Sequence, residues 1–259
     1  MEQASRDLVR RKYFEVEEVC REALRKAHAI RDYDRIARIL MPLQEARRQK
    51  RDLAIDSGRV VVVEAQLPTD LELAAGCYLI VPPRVGVDGR ALREIADQKR
   101  VPVVVIVREP TTLDGLWPVV SVGLSTVRTK VKPPAPVSAA PVAKPRPVRK
   151  TSKKTAAETA VVAPRTQPSG EAVPPPKWFI AAAEALGDAA IASMPPDAHP
   201  TIRVERLIAL LEGLPDHEKL HQALETAARA AARDPRPPRR LTPIFLEDDD
   251  GLGLATTLN

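Results

Sequence analysis

The sequence predicts an α+β protein in several parts: an N-terminal helical hairpin on a small four-stranded α/β domain, a disordered Pro/Ala/Lys linker and a C-terminal three-helix bundle. Three observations lead to this prediction. Apolar residues recur at helical spacing near both ends of the chain, four valine-rich runs lie between them, and a basic, proline-rich stretch follows those runs. Only 3% of the 259 residues are aromatic, so aliphatic side chains must build the core.

The changes in composition place the boundaries between the parts. We expect a helical hairpin over residues 1–56, a small α/β domain over 57–127, a disordered basic linker over 128–177, a helical bundle over 178–233 and a flexible tail over 234–259.

Two amphipathic helices are predicted in the hairpin. The first has apolar residues at helical spacing, namely Tyr13, Val16, Val19, Cys20, Ala23 and Ala27, and the second has Tyr33, Ile36, Ile39, Leu40, Leu43 and Ala46. Asp32 is expected to cap the second helix because its short carboxylate can accept a free backbone N–H. Pro42 predicts a kink or a break near residues 38–42, because proline has no backbone N–H to donate a hydrogen bond to the preceding turn.

Residues 13–24 and 31–40 resemble the second half of tetratricopeptide helix hairpins, in which an aromatic residue follows a turn. Tyr13 and Tyr33 lie 20 positions apart, against ~34 in that repeat. The resemblance implies a protein-binding role. In the alternative, the hairpin packs against the next domain or against a second copy of itself.

Four runs are expected to form a mixed sheet, at residues 59–64, 77–81, 101–107 and 119–127. The first three are continuously apolar, as in strands that are buried on both faces. The fourth alternates polar and apolar residues, which is typical of an edge strand. A helix over residues 88–99, with Asp88 as its cap, completes a βαβ unit between the second and third strands.

In such a sheet, ligands bind beyond the carboxyl ends of the parallel strands. The candidate residues for an anion or ligand crevice there are Arg84, Asp88, Arg90, Arg108 and Glu109. The loop before the helix has neither the G-x-G-x-x-G pattern nor a Walker pattern, so no cofactor is predicted. The alternative is that Asp88 serves only as a structural cap.

The linker carries most of the positive charge. Residues 128–177 contain 11 Lys and Arg against 2 Asp and Glu, whereas the whole chain has a net charge of +6. Clustered cations can bind nucleic-acid phosphates without reading sequence, and the candidates are Lys144, Arg146, Arg149, Lys150, Lys153 and Lys154. The alternative is a solubilising tether whose charges repel each other.

Three short amphipathic helices are predicted after the linker. Because the bundle is small, it needs either a partner or the first domain for stability. His217 and His221 flank Glu218 in an H-E-x-x-H match, the spacing of two zinc ligands and a general base. Packed or capping histidines are the alternative to a metal site, since no third ligand is evident at helical spacing.

The remaining features favour a cytoplasmic protein that does not enter a membrane. The N-terminus lacks an apolar signal segment, no apolar run reaches the ~20 residues of a membrane span, and Cys20 and Cys77 form no metal pair. The tail places apolar residues beside four acids at 247–250, which is typical of a short motif that docks on another protein. The alternatives are a segment that binds the basic linker of the same chain and a frayed terminus. We therefore predict a non-enzymatic adaptor with an unidentified protein partner, and nonspecific nucleic-acid binding as the alternative. The oligomeric state is not indicated.

Overall fold

The computed structural model describes residues 2–65, 72–134 and 173–234. The helices are α1 (Glu2–Val9), α2 (Tyr13–Ala29), α3 (Tyr33–Asp56), α4 (Gly86–Gln98), α5 (Pro176–Ala192), α6 (Pro200–Gly213) and α7 (Glu218–Arg233). The strands are β1 (Val60–Val63), β2 (Gly76–Ile80), β3 (Val103–Arg108), β4 (Trp117–Val122) and β5 (Thr126–Val131). Helices combined with a mixed sheet confirm the predicted α+β class.

The five strands form one sheet in chain order, β1-β2-β3-β4-β5. The first three are parallel, and β4 and β5 are antiparallel to their neighbours. This order places the carboxyl ends of β2 and β3 beside the start of β4 and the end of β5, since an antiparallel neighbour reverses direction.

Helices cover both faces of the sheet. On one face α4 packs over an apolar cluster that includes Ile80, Leu92 and Val107. On the other face Leu79, Ile106 and Val119 belong to a larger core that continues into the N-terminal and C-terminal helices. Alternate residues of a strand point to opposite faces, which is why one strand can serve both cores.

The helices on either side of residues 135–172 contact each other. Helix α7 packs against α6 and also against α3 of the N-terminal hairpin. Trp178 Nε1 on α5 donates a hydrogen bond to the carbonyl oxygen of Lys132, just past β5, at 2.9 Å. The small bundle thus gains the apolar cover that its length requires. The division of the chain into domains stays a prediction.

Helices α2 and α3 form where the two helices of the hairpin were predicted, whereas α1 was not predicted, and two details differ. Asp32 caps α3 by accepting the backbone N–H of Arg35 at 2.9 Å. The helix then runs through Pro42 without a break, because the buried residues around it anchor both sides. In α2, Val19 is 48% exposed while Glu17 is buried, so the buried face is rotated toward a charged side chain.

The sheet has five strands, and the predicted number of four was wrong. The run over residues 119–127 is split by a turn between Val122 and Thr126, and β5 extends into the first residues of the predicted linker. The edge position therefore belongs to β5, while β4 lies inside the sheet. Thr126, Val127, Thr129 and Val131 are β-branched, which favours a strand despite the basic residues between them.

Helix α4 begins at Gly86, two residues before the predicted cap. Asp88 lies in its first turn, and its carboxylate accepts the backbone N–H of Val85 at 2.8 Å. The predicted linker also ends early, since α5 starts at Pro176. Within the described ranges, none of the helices is long and apolar enough to cross a membrane.

Candidate functional site

A groove lies where the carboxyl ends of β2 and β3 meet the start of β4 and the end of β5. Its volume is about 710 Å³. Five of its eleven lining residues are apolar, namely Pro82, Pro83, Val85, Pro110 and Pro118. Pro82 and Pro83 are joined by a cis peptide bond. The groove occupies the place where open α/β sheets bind ligands.

The groove exists because α4 covers only part of its face of the sheet. Gly86, the first residue of α4, lies so close to β4 that a side chain there would meet Val122 at 2.4 Å. Farther along the same face Pro118 lies opposite Lys130, and no helix of the described residues is placed over them in the way that α4 covers Val122. The uncovered end of the sheet therefore forms the floor of the groove.

Three cations line the rim of the groove, and each is paired with a carboxylate. Arg84 Nη1 donates to Asp88 at 3.2 Å, Arg128 Nε to Glu109 at 3.0 Å, and Lys130 Nζ to Asp114 at 2.7 Å. The Arg128 and Lys130 side chains are about half exposed to solvent, so these pairs contribute little to stability and can exchange for a ligand.

One rim donor is free within the described structure. The Nε atom of Arg84 is buried and makes no hydrogen bond to any described residue. A buried donor without an acceptor costs free energy, and rotation of the Arg84 side chain would be needed to present this donor to an acceptor atom of a ligand in the groove.

Asp114 fixes the loop that forms one side of the groove. Its carboxylate accepts hydrogen bonds from Lys130, from the Thr112 hydroxyl and from the backbone N–H of Leu116. These bonds, that of Lys130 first, lower the pKa of Asp114 to about 2. The loop between β3 and β4 is thereby held against β5.

The five predicted crevice residues have different positions. Arg84 and Glu109 line the groove, and Asp88 holds Arg84. Arg108 lies behind it, with its guanidinium 4.7 Å from the centre of the Trp117 ring. Arg90 points elsewhere, since it pairs with Glu94 along α4.

Sequence reasoning missed the second wall of the groove. Arg128 and Lys130 were placed in the linker on the basis of their charge. Their alternation with β-branched residues was the signal that could have identified them as strand residues facing one side.

The two histidines of the H-E-x-x-H match do not converge on one point. His217 precedes α7 and caps it, with Nδ1 accepting the Leu220 N–H at 3.2 Å. His221 Nδ1 donates to the His217 carbonyl, and its Nε2 accepts from Arg47 at 3.3 Å. A zinc pair instead needs two imidazole lone pairs directed at the same position.

His217 is brought together with two carboxylates of α5. Its buried Nε2 lies 3.4 Å from Glu184 and 3.8 Å from Asp188. Because Nδ1 accepts the capping bond, Nε2 carries the proton of the neutral ring. Metal-bound histidines usually have the opposite arrangement, with the remote nitrogen donating, so this geometry favours a packed, capping histidine.

A buried charge network joins the N-terminal and C-terminal helices. Glu17 accepts hydrogen bonds from Arg47 Nε at 2.8 Å and from Lys50 Nζ at 2.7 Å, and Arg47 also contacts His221. Burial alone would raise the pKa of Glu17, but the two cations outweigh it and lower that pKa to about 2. Burial, followed by the nearby Arg47, lowers the pKa of His221 to about 3.

The network predicts a specific dependence of stability on pH. The pKa of Glu17 lies below its ordinary value of 4.5, so the unfolded chain takes up this proton first as pH falls. We expect the wild type to be more stable than Glu17→Gln at pH 6, and the gap to shrink as pH falls below 4.5. Urea unfolding of the two proteins at a series of pH values measures the difference in stability and its dependence on pH. A gap that stays constant down to pH 3 would contradict the ion pairing.

The candidate nucleic-acid contacts, Lys144 to Lys154 in the linker, lie outside the described residues, as does the acidic tail. Phosphate binding by the linker therefore stays a prediction. The chain matches no model of a known protein family, no curated protein and no solved structure, so the likeness of the hairpin to tetratricopeptide repeats remains a resemblance.

Proposed function

We propose that the protein is a non-enzymatic adaptor that binds an extended, carboxylate-bearing segment of a partner protein in the groove beside β5. The observation that carries this proposal is a proline-lined groove whose wall includes Arg84, a residue with one buried and unpaired donor atom. Apolar contact supplies the affinity, and the polar rim selects the ligand.

The position of the groove favours an extended ligand. β5 pairs with β4 alone among the described strands, and its residues 128–130 line the groove. An edge strand offers backbone N–H and C=O groups to an incoming strand, as in domains that bind peptides by adding a strand to a sheet. The proline rings present rigid apolar surfaces that lose little entropy on binding.

The rim of the groove can bind carboxylates of a ligand, because a ligand carboxylate can replace the acidic side chain that is paired with a rim cation. Each rim cation already has an acidic partner, so a ligand carboxylate gains little net Coulomb energy by displacing it. Such contacts contribute more to specificity than to affinity. The Arg84 Nε donor is different because no described acceptor competes for it. Moderate affinity, in the micromolar range, is therefore expected.

Selection from a random displayed-peptide library on the immobilised full chain tests the proposal. We expect enriched peptides that combine apolar or proline residues with an acid. Their dissociation constants, measured by fluorescence anisotropy, should rise by about tenfold for the double variant Arg84→Gln/Lys130→Gln, since a charge-assisted bond is worth about 1.5 kcal/mol or more.

The matched control is Arg25→Gln/Lys26→Gln, which removes two cations whose side chains are 75% exposed on α2. This variant should bind the selected peptides as the wild type does. Failure to enrich any consensus, or a consensus that binds both double variants equally, would overturn the proposal.

A further inference from the structure

The acidic tail has the chemistry that the groove requires. Residues 243–246 are Pro, Ile, Phe and Leu, and residues 247–250 are one Glu and three Asp, the longest run of acids in the chain. The groove offers an apolar, proline-lined floor for the apolar residues. On its rim Arg84, Arg128 and Lys130 are each paired with a carboxylate, which an acid of the tail would replace.

We infer that residues 241–250 of this chain occupy the groove in cis, where they compete with partner segments. The inference rests on the proposed function of the groove and names an occupant for it. The linker is not an alternative occupant, because its charge has the same sign as the groove cations.

The length of the tail limits which faces of the molecule it can reach. The described chain ends at Asp234, and the stretch from there to Glu247 spans up to ~45 Å when extended. A compact body of this size has a diameter of about 40 to 45 Å. A path over the surface to the opposite side of such a body is longer, about 65 Å, so the acidic run reaches the part of the surface within ~45 Å of Asp234. The disulfide experiment therefore also tests whether the groove lies in this range.

Because the tail and the groove belong to one chain, a weak contact between them is enough to keep the groove occupied. A segment joined by a short flexible stretch has an effective concentration in the millimolar range. A tail that binds with a dissociation constant near 100 µM as a free peptide would thus fill the groove most of the time in the intact chain. Partner segments would then bind with an affinity reduced by about tenfold.

Disulfide trapping in the full chain tests this inference. One new cysteine replaces Val85, which is 54% exposed in the groove wall, and another replaces Leu246 in the tail. The native Cys20 and Cys77 are buried, and burial raises the pKa of each thiol to about 11, which keeps them out of the exchange. We expect an intramolecular Val85→Cys/Leu246→Cys disulfide, seen as a monomer of altered mobility on a non-reducing gel.

The control pair is Leu53→Cys/Leu246→Cys, since Leu53 is 47% exposed on α3 and does not line the groove. Its disulfide should form about tenfold more slowly, and excess free peptide of residues 241–250 should slow only the groove pair. Equal rates for the two pairs, or a disulfide-linked dimer, would overturn the inference. Enriched library peptides that still require Arg84 and Lys130 would in that case leave the proposed function standing.

Discussion

Gly123→Ala is expected to lower the free energy of unfolding by about 3 kcal/mol, because it forces apart two backbones that touch. Gly123 lies in the turn between β4 and β5, where a Cβ atom would come within 2.4 Å of the Gly213 nitrogen and 2.7 Å of its Cα. Backbone atoms at the end of α6 have no flexible side chain to move aside. The added methyl group should also break the hydrogen bond from Ser121 Oγ to the Gly213 carbonyl.

Thermal unfolding followed by circular dichroism measures this effect, which should appear as a fall in Tm of about 6 to 12 °C. Gly213→Ala is the matched control. A Cβ atom at Gly213 meets its nearest neighbour, Gly123, at 3.2 Å, which a small shift relieves. A Gly213→Ala protein as unstable as Gly123→Ala, or two variants as stable as the wild type, would show that the turn and α6 do not meet as described.

Arg47→Met should cost about 3 to 5 kcal/mol, since it leaves a buried carboxylate with only part of its compensation. Arg47 is 6% exposed, and its guanidinium links Glu17 of α2 to His221 of α7. Methionine retains much of the side-chain volume of arginine. The loss of stability in Arg47→Met therefore measures the removal of the charge rather than the creation of a cavity.

A double-mutant cycle with Glu17→Gln separates the interaction energy of the Glu17–Arg47 pair from the interactions of each residue with its surroundings. We expect Glu17→Gln/Arg47→Met to be more stable than Arg47→Met alone, because neither buried charge then lacks its partner. Urea unfolding of the four proteins measures the coupling. Additive losses in the two single variants would mean that the side chains do not interact in the folded protein.

Local patterns predicted the secondary structure well where the contacts are local. Helical spacing located the hairpin and the three C-terminal helices, and the apolar runs located the first three strands. The start of α4 was misplaced because the sequence gives Asp88 the features of a cap, whereas its carboxylate acts from the first turn. Capping and first-turn positions have similar preferences for acids, so residue type alone does not separate them.

Features that depend on distant contacts could not be predicted. The buried ion pair of Glu17 and Arg47 is invisible to an apolar pattern, since both residues look like solvent-exposed helix positions until α7 covers them. Only one wall of the groove was predicted, because the other wall also depends on contacts between residues that are distant in the sequence. The loop after β2 supplied Arg84, but the opposite wall comes from β5, whose basic composition resembled the linker that follows.

The contact between Trp178 and Lys132 changes what residues 135–172 contribute to the molecule. Lys132 and Trp178, near the two sides of that segment, are neighbours in the described structure. Because α5 to α7 belong to the same chain as the sheet, their effective concentration around it is about millimolar, so the contacts between them can be individually weak. The described residues before 135 and after 172 thus pack against each other as two subunits of a heterodimer do, although a single chain carries both.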